Sequence, residues 1–134
     1  MNKFNRSQTF KLKVTEADFQ ATVIKLAQYL GWKVAHFRGV RVLRANGNIR
    51  YQTPVQGDGK GFPDLVLVRR ARIIYAELKS ESGKLSPEQQ EWLKALAAAG
   101  GEVYIWRLSD WQEIQEVLTR ELPPNKLEEL AREV

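Results

Sequence analysis

The stretch that decides the fold is residues 61–79, which read GFPDLVLVRRARIIYAELK. Residues 64–68 and 73–79 form two runs of apolar and β-branched side chains, the composition that favours strands. Only the tetrapeptide RRAR separates the runs, so we predict consecutive antiparallel strands. Around Leu65 and Ile74 the alternating side chains are apolar on both faces, which predicts a central sheet position covered on both sides.

The turn between these strands determines which residues face each other. We centre it between Arg70 and Ala71, as a two- or four-residue connection requires. Asp64 then lies opposite Glu77, and the period of two along a strand puts Lys79 on the same face as Glu77. Opposed β-carbons lie roughly 4.5–5.5 Å apart, so both carboxylates could bind one cation. Because opposed like charges are destabilising, a divalent cation would neutralise the pair.

A purely structural interpretation of the same residues remains open. Asp64 could simply begin a strand after Pro63, while Glu77 and Lys79 lie on a solvated face of the sheet. The apolar flanks on both faces argue against this interpretation, because charged side chains inside a covered strand need a partner.

Upstream of this stretch, the sequence predicts a helix and a hairpin. Thr15 is the expected N-cap of the helix, and Gly31 ends it. The dipeptide Asn46-Gly47 is typical of a two-residue hairpin turn. The predicted elements are a helix over 15–31, a strand over 32–38, a hairpin over 40–53 and a mobile, turn-rich loop over 54–61.

Downstream, helices and a strand alternate. Ser86 and Gln89 form the pattern of a capping box, and Ser109 is the expected N-cap of a later helix. The predicted elements are a helix closed by Gly100-Gly101, a strand over 103–107, a helix from 109 that ends before Pro123-Pro124, and a short final helix over 127–134. The whole order implies a mixed sheet flanked by helices.

Length and composition predict one domain over residues 1–134, with a core of about 15–122 and a basic N-terminal extension over 1–14. No apolar stretch is long enough to cross a bilayer, so we expect no membrane partner. No signal-peptide pattern is present, so we expect a cytoplasmic protein of a bacterial or phage-infected cell.

The residue types also narrow the chemistry. The absence of cysteine excludes disulfides and thiolate metal sites, and the single His36 excludes a histidine-rich zinc site. His36 itself is expected in the core or on DNA rather than in catalysis. Any metal should therefore be a hard cation held by carboxylates, Mg²⁺ or Mn²⁺, and no organic cofactor is expected.

Charge is unevenly distributed along the chain. Residues 1–61 carry 11 basic and 3 acidic groups, whereas residues 62–134 carry 10 and 13. This asymmetry favours a polyanion-contacting surface built from the N-terminal half, with nucleic acid as the commonest candidate. A solvated basic face is the alternative that composition leaves open.

The motif residues resemble a known nuclease family. GFPD at 61–64 followed by ELK at 77–79 resembles the PD-(D/E)XK motif of restriction-endonuclease-like nucleases. The continuation GKLSPEQ at 83–89, with VYIWR at 103–107, is similar to the VRR-NUC (virus-type replication-repair nuclease) family, and the resemblance covers about residues 15–111. It implies an α/β fold with a restriction-endonuclease-like αβββαβ core, to which this sequence adds a basic hairpin insertion and an extra C-terminal helix.

The resemblance also implies roles for individual residues. The expected metal ligands are Asp64, Glu77, the backbone carbonyl of Leu78 and, from the first helix, Glu16. Lys79 would position or activate the attacking water, and Gln89 would lie near the metal and the scissile phosphate. Gln89 could equally serve only its capping box, and Glu16 could simply be a favourable charge at a helix N-terminus.

The basic hairpin lies outside the part that the family pattern supports. Its arginines and one loop lysine are candidate DNA contacts, because arginine binds phosphate bidentately. These candidates are Arg38, Arg41, Arg44, Arg50 and Lys60. They could instead solubilise an exposed sheet edge.

The resemblance implies a Mg²⁺- or Mn²⁺-dependent endonuclease acting on branched DNA such as four-way (Holliday) junctions. A single small domain offers one site, so two cuts would need two copies. Because stand-alone members of the family that the chain resembles act as homodimers, we expect a homodimer. A flap-type nuclease and a non-catalytic DNA-binding module on the same fold are the alternatives.

Overall fold

The computed structural model describes residues 15–37, 40–43, 45–52 and 56–121, together with Arg132. The N-terminal extension and nearly all of the expected final helix lie outside these residues. The helices are α1 (Glu16–Tyr29), α2 (Pro87–Ala98) and α3 (Trp111–Thr119). The strands are β1 (Lys33–His36), β2 (Val40–Leu43), β3 (Ile49–Gln52), β4 (Leu65–Arg69), β5 (Arg72–Leu78) and β6 (Glu102–Trp106). None of the described helices combines the length and apolar character needed to span a bilayer.

Four strands form the central sheet, in the order β1-β4-β5-β6. The first three strands are antiparallel to their neighbours, and β6 runs parallel to β5. The remaining strands, β2 and β3, pair only with each other in a separate two-stranded sheet. This mixed sheet with flanking helices confirms the expected fold class.

The register between β4 and β5 is the one predicted from the turn. Arg69 pairs with Arg72, so two residues connect the strands, and Arg70 adopts the left-handed conformation with φ 53°. Leu65 pairs with Ala76 at the other end. The next position outward along both strands therefore places Asp64 opposite Glu77.

The β2–β3 hairpin differs from the prediction. Leu43 pairs with Ile49, so the connection contains five residues, 44–48, rather than the two of Asn46-Gly47. The side-chain oxygen of Asn46 accepts a hydrogen bond from the Asn48 N–H at 3.0 Å, and Gly47 has φ 85°. Asn46 thus forms a local side-chain turn inside a longer loop, which the dipeptide alone does not distinguish from a tight hairpin.

Helices α1 and α3 cover one face of the sheet. The core between them consists of residues with at most 4% of their surface exposed: Phe19, Val23, Ala27, Trp32, Leu65, Leu67, Ile74, Ala76, Leu78, Trp106, Ile114, Val117 and Leu118. Each fully buried large apolar side chain stabilises the fold by roughly 1.5–3 kcal/mol relative to exposure.

The other face is covered only in part. Val68 and Ile73 form a cross-strand pair near the β4–β5 turn, and both are about two-fifths exposed, 41% and 42%. Towards the carboxyl end of β5 the cover improves, because α2 packs there and Leu93 is buried. The expectation that both faces are covered is therefore wrong near the turn and correct beside Glu77.

Two of the three predicted helix starts are confirmed. Thr15 and Asp18 form a capping box at α1, and Ser86 and Gln89 form one at α2. The third prediction, Ser109 as an N-cap, is wrong. Its N–H and Oγ both hydrogen-bond to the carboxylate of Glu81, at 2.6 and 2.9 Å, and α3 begins after a 3₁₀ turn over Leu108–Asp110. Ser109 therefore hydrogen-bonds to Glu81, which is distant in sequence, and does not cap the helix.

An arginine cluster holds the turn end of the sheet against the carboxyl end of α3. Arg72, only 7% exposed, forms a two-nitrogen ion pair with Glu102 and donates to the Val117 carbonyl at 3.1 Å. Its guanidinium also lies over the ring of Trp32, 5.0 Å from the ring centroid, as does that of Arg69 at 4.8 Å. Cations at a helix C-terminus and over an indole are both favourable.

Candidate active site

Asp64 is fixed at the point where β4 begins. Pro63 before it is buried, and the Asp64 backbone carbonyl accepts the Phe37 N–H at 2.8 Å. The side-chain Oδ2 accepts the Leu78 N–H at 2.9 Å. The carboxylate therefore continues the hydrogen-bond ladder of the two strands and is held beside the end of β5.

Glu77 is buried next to Asp64. It is 2% exposed, and its Oε1 accepts a hydrogen bond from Gln89 Nε2 at 3.3 Å. Its Oε2 is buried and has no hydrogen-bond donor. Burial, reinforced by the neighbouring Asp64 carboxylate, raises the pKa of Glu77 to about 9.

The Glu77 oxygen without a donor tests whether Asp64 and Glu77 are suited to bind a metal ion. A carboxylate oxygen without a donor costs free energy, and either a proton or a cation can relieve that cost. Hard carboxylate oxygens are the ligands that Mg²⁺ and Mn²⁺ prefer. Asp64 and Glu77 together therefore fit a hard divalent cation.

Lys79 and the Leu78 carbonyl lie at the same strand end. The Lys79 N–H donates to the Trp106 carbonyl at 2.9 Å, which extends the β5–β6 pairing by one residue. The Lys79 charge lowers the pKa of Glu77, against the larger effect of burial. Because the N–H and C=O of a strand residue point to the same neighbour, the Leu78 carbonyl is directed to the side of Asp64.

Gln89 takes part in its capping box and also contacts Glu77. Its Oε1 accepts the Ser86 N–H at 2.8 Å in the capping box. Its Nε2 donates to Glu77 Oε1 at 3.3 Å. The helix start therefore fixes the amide, and the amide in turn fixes Glu77.

Glu16 lies further from the pair. It is the exposed first residue of α1, and its negative charge contributes to the raised pKa of Glu77. Within the described residues, no group of three or more His, Cys, Asp or Glu side chains is close enough to hold an ion. The structure thus brings Asp64, Glu77 and Gln89 together and leaves Glu16 as a neighbouring charge.

Gly61 is a site residue that sequence reasoning did not assign. It has φ 86°, and a β-carbon there would lie 2.6 Å from the carbonyl carbon of Glu88. Only glycine therefore lets the segment before Asp64 pack against the first turn of α2. The available signal was a glycine that immediately precedes the motif in a turn-rich segment.

The loop before the motif is anchored to α2. The Trp92 indole N–H donates to the Asp58 carbonyl at 2.9 Å, and Lys60 lies 3.4 Å from the Glu88 carboxylate. The described part of this loop, 56–61, therefore contacts α2, and its mobility stays a prediction. Residues 53–55 lie outside the description.

The loop after Lys79 is held by a second residue that sequence reasoning did not assign. Arg107 Nη1 donates to the carbonyls of Ser80 and Gly83, the latter at 2.8 Å. Together with the contact between Glu81 and Ser109, this fixes the connection from Lys79 to the cap of α2. Arg107 has no local sequence signature for this role.

The candidate DNA contacts are only partly visible. Lys60 is exposed, with its ion pair to Glu88 at the surface. The backbones of Arg41 and Arg50 lie in β2 and β3. The side chains of these two arginines, and all of Arg38 and Arg44, lie outside the described residues.

This arrangement defines a class of protein. An aspartate at the start of one strand and a Glu-X-Lys segment at the end of its antiparallel neighbour, in a mixed sheet between helices, are the features of a PD-(D/E)XK nuclease. The model of the VRR-NUC domain family matches residues 40–110, more than half of the chain. The chain belongs to the VRR-NUC family and is a nuclease domain of the PD-(D/E)XK type, with DNA as its partner. Searches of curated proteins and of solved structures gave no significant match.

Proposed function

We propose that the protein is a divalent-metal-dependent DNA endonuclease that hydrolyses phosphodiester bonds of branched DNA. The observation that carries the metal dependence is the buried Glu77 oxygen that lacks a donor, beside Asp64. A proton relieves the cost of this buried oxygen in the metal-free protein, and a cation bound by Asp64 and Glu77 would take the place of that proton. The pair lies within the residues that the family model matches, which supports a bound ion.

The proposed ligands are Asp64, Glu77 and the Leu78 carbonyl, with Mg²⁺ or Mn²⁺ as the ion. When bound, the cation supplies positive charge that stabilises the transition state and favours deprotonation of the attacking water. Glu16 adds a further negative charge near these ligands and is not itself among them.

The remaining groups orient the reaction. Lys79, at the end of β5 on the face of Glu77, aligns the water and attracts the scissile phosphate. Gln89 keeps Glu77 in place through its amide and lies where the phosphate would approach. Gly61 and Arg107 act indirectly, because they fix the loops next to Asp64 and Lys79.

The proposal also specifies branched DNA as the substrate and a homodimer as the active form. One carboxylate pair per chain can cut one strand, so resolving a four-way junction needs two chains. An exposed apolar pair at the hairpin, Leu43 and Ile49, supports self-association, because such side chains are 73% and 47% exposed in the monomer. The basic N-terminal half supports a DNA-facing surface.

Cleavage of labelled DNA tests the enzyme assignment. Four-way junction, 5′ flap and linear duplex are incubated with Mg²⁺, Mn²⁺ or EDTA. We expect cleavage only with metal and fastest on the junction. Asp64→Asn and Lys79→Ala should each lower the rate by about 100-fold or more, as loss of a transition-state contact does.

Matched controls separate chemistry from folding. Glu113→Gln and Lys94→Ala change exposed helix residues with the same charges and should cleave like the wild type. Unchanged cleavage by Asp64→Asn would contradict the proposed site. Binding without cleavage in any metal would identify a non-catalytic DNA-binding module, and a preference for the flap would replace the junction as substrate.

A further inference from the structure

An open cleft is lined in part by Phe62, two residues before Asp64, and takes no part in the mechanism above. It has a volume of about 360 Å³ and is lined mainly by apolar surface. The lining residues are Phe37, Gln56, Asp58, Gly59, Phe62 and Trp92. Three of these six are aromatic, which is a high share for the surface of a small domain.

The aromatic rings form a fixed arrangement around Phe62. Phe37 and Trp92 contact it edge to face, with ring centroids 5.3 and 5.0 Å away, and Tyr75 contacts it at 6.2 Å. The hydrogen bond from the Trp92 indole to Asp58 fixes one end of that ring. Rings held in this way lose little conformational entropy when a flat ligand stacks on them.

Chain connectivity places the cleft next to the reaction. Phe62 precedes Asp64 by two residues, and the Phe37 N–H donates to the backbone carbonyl of Asp64. A DNA strand that presents a phosphate to Asp64 would then have this cleft within reach. The occupant should belong to the substrate strand.

The charges that line the two clefts indicate which part of the DNA strand enters the apolar cleft. A second cleft of about 530 Å³, which shares Asp58 and Trp92 with the first, is also lined by Glu88, Glu91 and Lys60. Three acidic residues against one lysine disfavour a phosphate backbone there. The apolar cleft, with the exposed amide of Gln56 at its edge, suits the face and edge of a nucleobase.

We propose that the Phe37–Phe62–Trp92 cleft binds an unpaired nucleobase of the substrate strand, adjacent to the scissile phosphate. This inference rests on the proposed function because it takes DNA as the ligand. A paired base must leave its stack to enter, which is unfavourable, whereas a base at a branch point is already partly free. The cleft therefore contributes to selectivity for branched DNA.

The first test replaces single bases in the DNA and measures binding without cleavage. A junction with one abasic nucleotide, moved stepwise along the cut strand, is titrated with protein in Ca²⁺ and followed by fluorescence anisotropy. We expect one position beside the cut site to weaken binding by about 5-fold or more, since stacking on an aromatic residue is worth about 1–3 kcal/mol per base. Equal binding at every abasic position would overturn the proposal.

The second test changes the cleft. Phe37→Leu removes an aromatic ring but keeps apolar volume, Phe37→Tyr keeps the ring, and Tyr29→Leu removes an exposed aromatic residue from α1 as a control. Only with Phe37→Leu should the abasic nucleotide no longer weaken DNA binding. Thermal melting verifies that each variant is folded. If Phe37→Leu is unfolded, the proposal is tested instead by the fluorescence of 2-aminopurine placed at the sensitive position, which should be quenched in the wild-type complex.

The two proposals fail in different ways. An abasic penalty without cleavage in any metal would overturn the nuclease assignment and leave the base-binding cleft. Cleavage with neither an abasic penalty nor 2-aminopurine quenching would leave the nuclease and overturn the cleft.

Discussion

Glu77 is the residue at which stability and function conflict most clearly. Its burial and its contact with Asp64 make the charged form unfavourable, yet the charged form is the one that binds a cation. The same chemistry predicts how the protein responds to pH and to metal.

The first prediction concerns pH in the absence of metal. The folded-state pKa of Glu77 is raised from 4.5 to about 9, so between these values the folded protein binds more protons than the unfolded chain. The contribution of Glu77 to the free energy of unfolding therefore falls as pH rises from about 4.5 to 9. Thermal melting in EDTA across this range should show the decline, and Glu77→Gln should reduce it.

Metal should reverse the sign of that effect. Binding requires the carboxylate form, so affinity for Mn²⁺ should increase with pH and binding should release protons. Isothermal titration calorimetry in buffers of different ionisation enthalpy measures the release. No proton release at pH 7 would contradict a buried, protonated Glu77 in the metal-free protein.

The second prediction concerns Gly61. Gly61→Ala should destabilise the protein by more than the roughly 1–2 kcal/mol of a left-handed backbone, because the β-carbon also meets Glu88. Gly57→Ala is the matched control, since Gly57 has φ 67° and no atom within 4 Å of an added β-carbon. Urea unfolding compares the two variants, and equal losses would argue against a close approach of the loop to α2.

At the scale of the element, the start of α2 is both a helix cap and a part of the site. Ser86 and Gln89 exchange hydrogen bonds, and Gln89 continues to Glu77. A change at either residue therefore affects helix stability and site geometry to different extents.

The third prediction separates these two effects. Gln89→Glu keeps a side chain suited to a capping box but replaces the donor to Glu77 with a negative charge, so cleavage should fall while helix capping persists. Ser86→Ala should instead cost about 1 kcal/mol of stability with a smaller effect on cleavage per folded molecule. Measured rates and melting temperatures that fall together in both variants would contradict the separation.

The elements also show what the sequence could predict. The β4–β5 register followed from the short RRAR connection, because so few residues leave little freedom in pairing, and it placed Asp64 opposite Glu77. The predictions at Ser109 and at Asn46-Gly47 were wrong. Ser109 binds Glu81, 28 residues away, and the hairpin loop is set by its pairing, so neither outcome was available from local pattern.

At the scale of the whole molecule, the proposed substrate rests on the distribution of charge and on the number of active sites. The fourth prediction is that the protein is a dimer at micromolar concentration, with a mass of twice 15.4 kDa by light scattering. Leu43→Lys and Ile49→Lys together should shift it towards the monomer if the hairpin lies in the interface. A monomeric wild type would contradict the proposal of paired cuts.

The fifth prediction concerns the basic hairpin. Replacing Arg41, Arg44 and Arg50 by glutamine should weaken DNA binding and flatten its salt dependence, because each phosphate contact contributes about 0.9 to the slope on duplex DNA. Anisotropy titrations from low to moderate salt measure the slope. An unchanged slope would show that these side chains do not contact DNA.

The arginine cluster at the opposite end of the sheet has a consequence for local opening. Arg72, Glu102 and Trp32 hold β5, β6 and the end of α3 with satisfied polar groups, whereas the end of β5 at Glu77 retains an unsatisfied oxygen. We expect backbone amides from Arg72 to Leu78 to exchange with deuterium only on global unfolding, because side-chain contacts hold one end of β5 and the buried core covers the other. The proposed site would then receive its cation and a strand of DNA without unfolding of β5.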